Sequence, residues 1–387
     1  MGVFVGRDRE IRRAYGFDEI ALAPGALTVN PDEVNTIWNI GGFKIEVPII
    51  AAAMDGVVDV KFAQEMGRLG GLAVLNLDGV QTRYENPEKV IDDLVTAEPE
   101  VATKLVQNLY KEPVKEKLIA KRVKEIKSAN VLVAVSVIPK KAAEYGRIAK
   151  DAGADILIIQ STVTTVKHYS TQYESVDFKK IIQDLNMPVI VGNCVSYEAA
   201  LDLMETGAAG ILVGVGPGAA CTTRGVLGIG VPQVTATVDC AAARDYFFKK
   251  TGRYVSIITD GGMDSGGDIC KAFASGADAV MVGSLFARAE EAPGKGYHWG
   301  MATPDKNLPR GTRVRVNVTG TLKQILTGPA NLDDGSQNLA GALRTSMGSL
   351  GAKNLKEMQL VDMVIAPSIK SEGKLLQKTQ KVGMGKK

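Results

Sequence analysis

The stretch from Pro188 to Gly216 reads PVIVGNCVSYEAALDLMETGAAGILVGVG and contains one complete strand, helix and strand unit. Its two ends, PVIVGNCV and AAGILVGVG, are apolar runs of strand length, whereas the segment between them has helical periodicity and ends at Gly207. Strands that are apolar on successive residues are typical of a parallel sheet, because helices cover both of its faces. The unit therefore predicts a parallel sheet with helical crossovers.

The same kind of apolar run recurs along the chain, and its count favours one fold. Eight runs are found, and they begin at Val47, Gly70, Asn130, Ala154, Pro188, Ala208, Tyr254 and Ala277. A doubly wound open sheet would show the same alternation with helices, but eight units without a midpoint insertion favour a closed barrel. The sequence thus predicts a single-domain (β/α)8 TIM barrel over residues 1–387.

Three segments depart from the regular alternation of strand and helix. The stretch from Gly79 to Asn130 is long, charged and helix-like, and we expect it to form an extra helical layer after the second strand. Residues 293–319 follow the eighth strand with many Gly, Pro, Lys and Arg residues, a composition that is typical of an active-site flap. Residues 366–387 form a basic C-terminal tail, which we expect to be solvated.

The overall charge and the cysteine pattern exclude several classes of protein. Lys and Arg (46) nearly balance Asp and Glu (43), so the net charge of +3 indicates no nucleic-acid partner. The four cysteines, Cys194, Cys221, Cys240 and Cys270, form neither CxxC pairs nor a disulfide framework, which is typical of a reducing compartment. No signal peptide and no membrane-spanning run is found. We therefore predict a cytoplasmic protein without a membrane partner.

The loop after the sixth strand, GVGPGAACTTRGVLGIGVPQ from Gly214, carries the strongest chemical signal. Its glycines allow tight turns that expose backbone amides and carbonyls around Cys221. A thiol in such a polar loop, close to Arg224, is suited to nucleophilic attack. Cys221 is therefore predicted to be catalytic, whereas the other three cysteines are interpreted as small buried residues.

The turns after the seventh and eighth strands predict a phosphate site. TDGGMDSGG places Asp260 at the end of a strand and Gly262 just after it, and VGS supplies Gly283 and Ser284. Glycine-rich turns that lead into helix N-termini at these two positions bind phosphate in barrel enzymes, because helix-end amides point at the anion. Asp260 is then placed to accept hydrogen bonds from a ribose diol, although a helix N-cap is an alternative role for this carboxylate.

Together these residues resemble the IMP dehydrogenase and GMP reductase superfamily, whose hallmark is a Cys-Thr-Thr-Arg run inside a glycine-rich turn. The resemblance extends over most of the chain through FDEIALAPG, AAMDGV, GNCVS, PGAACTTR, DGGMDSGGDICKAFASGADAVMVGS and LRTSMGSLGAK. The segment GSLFARAEEAPG after the eighth strand looks like the dehydrogenase branch. The resemblance therefore implies oxidation of IMP to XMP by NAD+ through a covalent thioimidate on Cys221. Two alternatives stay open: a GMP reductase that uses NADPH, and a non-catalytic nucleotide-binding barrel.

The resemblance also implies a role for particular residues of this chain. Substrate contacts fall on Met54, Asp260, Gly262, Gly283, Ser284, His298, Gly300 and Met301, and NAD contacts fall on Gln160, Ser161, Thr162 and Asn193. The carbonyls of Gly216, Gly218 and Cys221 match the family's K+ site, which Glu372 and Gly373 of a neighbouring subunit would complete. A homotetramer, or an octamer formed by two such tetramers, is the expected assembly.

Several positions depart from the family pattern. The stretch after the second strand is too short for the CBS modules that relatives carry there, so we expect none. Gln160 stands where the family has an Asp, Ala219 where it has a Ser, and His298 where it has a Tyr. The Arg-Tyr pair of the flap, which activates the hydrolytic water in relatives, is missing, and the flap is short. We therefore expect Arg310, Arg313 or Thr223 to take that role, with a surface position as the alternative for the two arginines.

Overall fold

The computed structural model describes residues 2–171, 174–300 and 311–383. The N-terminal part forms short strands around the barrel: β1 (Val3–Phe4), β2 (Glu10–Ile11), β3 (Ile20–Leu22), β4 (Trp38–Ile40) and β5 (Phe43–Ile45). The pairs β1–β2 and β4–β5 are antiparallel. Trp38 is buried, and its indole N–H donates to the Ser256 hydroxyl at 3.0 Å, so β4 packs against the amino-terminal end of the barrel.

The central part of the chain alternates strands and helices. In order these are β6 (Ile49–Ala51), α1 (Val60–Arg68), β7 (Leu72–Asn76), α2 (Val80–Arg83), α3 (Pro87–Thr96), α4 (Pro99–Leu109), α5 (Glu116–Lys127), β8 (Ala134–Val137), α6 (Ala142–Asp151), β9 (Ile156–Gln160), α7 (Phe178–Leu185), β10 (Val189–Cys194), α8 (Tyr197–Glu205), β11 (Gly210–Val213), α9 (Thr223–Leu227), α10 (Gln233–Thr251), β12 (Ser256–Asp260), α11 (Gly266–Ala274) and β13 (Ala279–Val282).

The eight strands β6 to β13 form one closed parallel barrel in the described part of the chain. Each strand pairs with the next, and β13 pairs with β6 to close the ring. All eight runs predicted from the sequence form these strands, so the prediction of a (β/α)8 TIM barrel is confirmed. Side chains on both faces of the strands are buried, which explains why the runs are apolar without alternation.

The helix quoted at the outset has local signals at both of its ends. The Ser196 side chain accepts a hydrogen bond from the Ala199 amide and caps the N-terminus of α8. After Glu205 the chain turns through Gly207, whose φ of +101° suits a residue without a side chain, and continues into β11. Local sequence therefore indicates both ends of helix α8.

The helical layer after the second barrel strand consists of α2 to α5, and residues 77–133 are all described. This layer has a small apolar core of its own, built from Val80, Ile91, Leu94, Val106 and Trp299. Trp299 comes from the predicted flap, far along the chain. The layer is therefore attached to the segment that follows the eighth strand.

The remainder of the chain contains β14 (Tyr297–Trp299), β15 (Arg313–Arg315), α12 (Leu322–Leu326), α13 (Leu339–Ser349), α14 (Leu355–Met358), β16 (Met363–Ile365) and α15 (Leu375–Gln380). Within the predicted flap, residues 293–319, β14 and β15 pair in antiparallel fashion. Just before the tail, β16 pairs with β3. Within the tail, Lys370 binds Asp268 at 3.0 Å, so this part of the tail contacts the barrel. Among the described helices, none combines the length and the apolar character that crossing a bilayer requires.

Candidate active site

A cleft opens at the carboxyl ends of the barrel strands, and it encloses about 1210 Å³ with its solvent-open mouth included. It brings together predicted site residues that are spread from strand β6 to the flap. These are Met54, Gln160, Ser161, Thr162, Asn193, Gly216, Gly218, Cys221, Thr223, Asp260, Gly262, Gly283, Ser284, His298 and Gly300. Met301 and Arg310, which were also predicted, lie outside the described residues. Glu372 and Gly373 are exposed in the tail.

Cys221 lies in the loop between β11 and α9, and its side chain is accessible to solvent. Its amide donates to the Gly218 carbonyl at 2.9 Å, and its Sγ lies 3.2 Å from the Thr223 hydroxyl. The Arg224 guanidinium donates to the carbonyls of Val215 (3.2 Å) and Val231 (2.8 Å) and thereby ties the two ends of the loop together. Arg224 therefore holds the loop that presents the thiol.

The other three cysteines are buried, as predicted. Cys194 lies within strand β10, Cys240 within helix α10 and Cys270 within helix α11, and each is at most 3% exposed. Burial raises the pKa of Cys270 to about 11, which keeps this thiol protonated and unreactive near neutral pH. Cys221 is thus the one accessible thiol among the four.

Asp260 is the last residue of strand β12, and its carboxylate faces the cleft beside Asn193. The Asn193 amide donates to Asp260 Oδ2 at 2.8 Å. Burial raises the pKa of Asp260 to about 6, and the hydrogen bond from Asn193 opposes that rise. Helix α11 takes its N-cap from Ser265, so Asp260 is free of the alternative capping role. The carboxylate is therefore available for a ligand at the cleft.

This raised pKa predicts a pH dependence of nucleotide binding. Below about pH 6 Asp260 gains a proton and loses an acceptor for a ribose hydroxyl, so the dissociation constant for IMP, the substrate that the resemblance implies, should rise by up to about tenfold per pH unit. Calorimetric titrations between pH 5 and pH 8 measure this effect. The phosphate of the nucleotide titrates in the same range, so the Asp260→Asn variant serves as the control and should lack the Asp260 contribution. Identical pH profiles for the two proteins would contradict the prediction.

Ser284 and His298 line the part of the cleft next to the carboxyl end of strand β13. The Ser284 hydroxyl lies 3.2 Å from His298 Nε2, and His298 is 1% exposed. Burial and the neighbouring Arg288 lower the pKa of His298 to about 4, so the imidazole is neutral at pH 7. His298 Nδ1 is buried without a hydrogen-bond partner among the described residues. His298 therefore contacts Ser284 without adding a positive charge to the cleft near neutral pH.

Gly283 follows strand β13 and lines the cleft beside Met54. A Cβ at this position would lie 2.7 Å from the Met54 sulfur, so a larger residue would displace Met54 from the cleft wall. Gly261 and Gly262, after strand β12, have φ values of +79° and +80°, a backbone region that favours glycine. These glycines were predicted from the sequence, and the tertiary structure gives the steric reason for them.

The opposite side of the cleft carries Gln160 and Ser161 at the end of strand β9. Gln160 Oε1 is buried and has no hydrogen-bond partner among the described residues. Ser161 donates to the Val163 carbonyl at 2.9 Å and contacts the Thr164 hydroxyl. A second cavity begins at Ser161 and continues past Ile138 and Phe178. This side therefore offers an unused acceptor and additional space beside the main cleft.

Arg313 was expected to take part in activating water, and the structure places its side chain outside the cleft lining. Its guanidinium donates to the carbonyls of Leu94, Val95 (3.2 Å) and Ala97 (2.8 Å), at the C-terminal end of helix α3. It also lies over the Tyr297 ring, 4.5 Å from the ring centroid. Helix carbonyls without intrahelical partners attract a cation, so Arg313 caps α3 instead of lining the cleft.

The new role of Arg313 predicts a loss of stability on substitution. Arg313→Ala should lower the free energy of unfolding by about 1–2 kcal/mol, because it removes the hydrogen bonds that satisfy the α3 carbonyls. Urea unfolding followed by circular dichroism measures this change. Arg315→Ala is the matched control, since Arg315 also lies over Tyr297, at 5.7 Å, but caps no helix among the described residues. Equal stability of the two variants would contradict the capping role.

Four residues behind the cleft lining escaped the sequence analysis. The Gln233 amide donates to the carbonyls of Val213 (3.1 Å) and Asp260 (3.0 Å), and it joins the ends of two barrel strands. Asp55, Tyr110 and Trp299 form a buried hydrogen-bonded chain behind Met54 and Gly300. Asp55 had a weak signal, because it directly follows the predicted Met54. Tyr110 had none.

The fold and the cleft define the class of the protein: a (β/α)8 barrel with an exposed thiol in a glycine-rich loop at the carboxyl ends of its strands. The profile of the IMP dehydrogenase / GMP reductase domain matches residues 14–373. This chain belongs to that family of oxidoreductases.

Individual relatives agree with this assignment. An oxidoreductase of Mycolicibacterium smegmatis, described as uncharacterized, is 39% identical over 94% of this chain and 99% of its own length. An inosine-5'-monophosphate dehydrogenase of Cryptosporidium parvum is 30% identical over 90% of this chain and 91% of its own length. The crystal structure of an IMP dehydrogenase/GMP reductase-like protein from Corynebacterium glutamicum has a TM-score of 0.89 and 36% identity, and covers 94% of this chain and 97% of that one.

Proposed function

We propose that this protein is an IMP dehydrogenase, which oxidises IMP to XMP with NAD+ through a covalent bond to Cys221. The observation that carries the proposal is the accessible thiol of Cys221 in the same cleft as the carboxylate of Asp260. A nucleotide monophosphate bound by its ribose and phosphate on one side would present its base to the thiol. Membership of the IMP dehydrogenase / GMP reductase family supports this choice of substrate class.

The substrate is held by groups with distinct tasks. Asp260 accepts hydrogen bonds from the ribose hydroxyls, and Asn193 keeps its carboxylate oriented. Gly262, Gly283 and Ser284 receive the phosphate, and the neutral imidazole of His298 contributes a hydrogen bond through Ser284. Met54 and Gly300 contact the base from the walls of the cleft. Met301 adjoins Gly300 in the sequence and is proposed for the same role.

In the proposed reaction the Cys221 thiolate forms a bond from sulfur to C2 of the hypoxanthine ring. The C2–H bond breaks, and the hydrogen leaves with its electron pair, so that C2 is oxidised and a thioimidate remains. Water then adds to C2, the C–S bond breaks, and XMP is released while the thiol is restored. The sum is IMP, NAD+ and water giving XMP, NADH and a proton.

Thr223 is the described residue that is best placed to orient the hydrolytic water. Its hydroxyl lies 3.2 Å from the Cys221 sulfur, and its side chain is almost fully buried. A hydroxyl can accept a hydrogen bond from water and pass a proton on to a second group. Arg310 stays a candidate for that second group, whereas Arg313 is engaged at helix α3.

The residues on the Gln160 side fit a nicotinamide nucleotide. The carboxamide and hydroxyl groups of such a nucleotide can donate hydrogen bonds. Gln160 Oε1 is a buried acceptor that lacks a partner among the described residues. Ser161, Thr162 and Asn193 would hold the rest of that end, and the adjoining cavity provides space for a ligand longer than a mononucleotide. When bound, NAD+ supplies the acceptor for the electron pair that leaves C2.

The donor set of the Cys221 loop fits a K+ ion. Gly216, Gly218 and Cys221 offer backbone carbonyl oxygens, which are the ligands that replace water around K+ in proteins. The Gly218 carbonyl already accepts the Cys221 amide and retains a second lone pair. These three carbonyls would hold the ion, which would stiffen the loop that carries the thiol.

We also propose that the protein assembles as a homotetramer, or as an octamer of two tetramers, in the cytoplasm. Both ends of the described chain expose apolar side chains, which supports contacts with other subunits. These include Phe4 in the β1–β2 hairpin and Leu375 and Leu376 in the tail, which are at least 68% exposed. Light scattering coupled to gel filtration measures the mass of the assembly, and a monomer would contradict the proposal.

Two incubations followed by mass spectrometry test the proposed reaction. With IMP and NAD+ we expect NADH to accumulate and, after an acid quench, Cys221 to carry an added XMP group. Conversion of GMP to IMP and ammonia with NADPH, without any reaction of IMP, would instead identify a GMP reductase. No turnover of either pair, together with no labelling of Cys221 by 6-chloropurine ribotide, would identify a non-catalytic nucleotide-binding barrel.

A further inference from the structure

A buried chain of three polar side chains lies behind the cleft. The Trp299 indole N–H donates to the Tyr110 hydroxyl at 3.2 Å, and that hydroxyl donates to Asp55 Oδ2. Asp55 and Trp299 are each 1% exposed. Removing so many polar groups from water costs free energy, which apolar side chains of similar volume would avoid. The hydrogen bonds therefore fix a geometry that apolar packing alone would not specify.

Each end of this chain adjoins residues that line the cleft. Asp55 directly follows Met54, and Trp299 stands between His298 and Gly300. Tyr110 joins the two ends, although it lies outside the cleft. Two segments form facing walls of the cleft: one carries Met54, and the other runs from His298 to Gly300. The position of the Tyr110 hydroxyl thus sets the distance between these two walls.

The backbones of the two walls also touch directly. A Cβ at Gly56 would lie 2.7 Å from the Tyr297 carbonyl and 3.0 Å from the Trp299 ring, so only glycine allows this approach. The Gly294 amide donates to the Gly56 carbonyl at 3.0 Å. A change in the direction of Trp299 would therefore be passed on to the segment that carries Met54.

The middle member of the chain belongs to the helical layer and not to the barrel. Tyr110 is the C-cap residue of helix α4, and Trp299 packs into the small apolar core of that layer. The Arg83 guanidinium, from helix α2, lies over the Tyr110 ring at 5.5 Å. The helical layer therefore supplies Tyr110 to the chain and also packs against the Trp299 ring.

The charges that face Asp55 come from several elements. Burial raises its pKa to about 6, and the like charge of Asp78 acts in the same direction, whereas Tyr110, the Val80 amide and Arg83 oppose the rise. A Cβ at Gly79 would overlap Asp55 Oδ1, so the carboxylate is held tightly against the start of helix α2. Asp55 thus contacts both the barrel and the helical layer.

We infer that Asp55, Tyr110 and Trp299 are positioning residues, which hold the two walls of the substrate cleft at a fixed separation and couple that separation to the helical layer α2–α5. The inference rests on the proposed function only for the nucleotide that serves as a probe. It assigns a role in this site to a helical segment that contributes no side chain to the cleft lining.

The test compares Tyr110→Phe with a matched control. Tyr110→Phe keeps the ring and removes both hydrogen bonds of the hydroxyl. The control, Tyr84→Phe, removes one hydrogen bond, which the Tyr84 hydroxyl donates to the Leu109 carbonyl at 3.0 Å. Tyr84 packs against the same small apolar core of the helical layer. Hydrogen exchange measured by mass spectrometry should accelerate in peptides 49–58 and 294–300 for Tyr110→Phe and stay unchanged for Tyr84→Phe. Calorimetry should give about tenfold weaker IMP binding for Tyr110→Phe alone, which corresponds to one or two lost hydrogen bonds.

A rescue variant separates hydrogen-bond geometry from charge. Asp55→Asn keeps an oxygen that accepts from the Tyr110 hydroxyl, so its exchange in both peptides should equal that of the parent. Unchanged exchange in Tyr110→Phe, or acceleration in Asp55→Asn as large as in Tyr110→Phe, would overturn the inference. Failure of the parent protein to bind IMP would count against the proposed function, while the exchange results would still decide the positioning role.

Discussion

Replacing Cys221 by Ala is expected to lower the turnover of IMP by about 10⁴-fold or more while IMP still binds. The reason is that the proposed route requires a bond between this sulfur and C2, and no other cysteine of the chain is exposed. The nearest alternative nucleophile, the Thr223 hydroxyl, is far less acidic than a thiol. Steady-state formation of NADH and calorimetric binding of IMP together measure both parts of the prediction.

Cys270→Ala is the matched control for this substitution. Cys270 is buried in helix α11, and we expect its replacement to leave turnover within about twofold of the parent, since it changes only packing and one weak hydrogen bond to the Ala342 carbonyl outside the cleft. Turnover by Cys221→Ala at the parent's rate would disprove covalent catalysis by this residue. Loss of IMP binding in the same variant would mean that the thiol also shapes the binding site.

Replacing Asp260 by Ala is expected to lower kcat/KM for IMP by about 10²–10⁴-fold. Two hydrogen bonds from ribose hydroxyls to a carboxylate are each worth about 1.5–3 kcal/mol in a partly buried site, and a tenfold effect corresponds to about 1.4 kcal/mol. The neighbouring Asn193 amide also loses its acceptor in this variant. Steady-state kinetics with varied IMP at saturating NAD+ measures the change.

Stability measurements distinguish lost recognition from unfolding in this variant. The folded pKa of Asp260, about 6, lies above its ordinary value of 3.8, so ionising this group costs stability. That cost grows as the pH rises through this range, and it is fully present above pH 6. The Ala variant should therefore be no less stable than the parent at pH 7.5. Glu205→Ala, at the exposed end of helix α8, serves as a control without effect on kcat/KM.

Much of the fold follows from local sequence. The apolar runs that form β6 to β13, and capping residues such as Ser196, act over a few neighbours along the chain, so a pattern of residues indicates them directly. The same holds for the site residues that follow these strands. Because all strands of a closed parallel barrel end on one face, Cys221, Asp260 and Ser284 had to lie near one cleft once the barrel was predicted.

The contacts that connect distant parts of the chain were decided by the tertiary structure alone. Tyr110 is 55 residues from Asp55 and 189 from Trp299, and Arg313 is 216 residues from the carbonyl of Ala97 that it binds. A hydrogen bond depends on distances of a few tenths of an ångström, whereas a residue pattern gives only the face and the end of each element. Sequence by itself therefore determined the barrel and the residues at its mouth. Only the packing of the helical layer and the flap against that barrel decided that Arg313 caps a helix and that Tyr110 reaches the cleft walls.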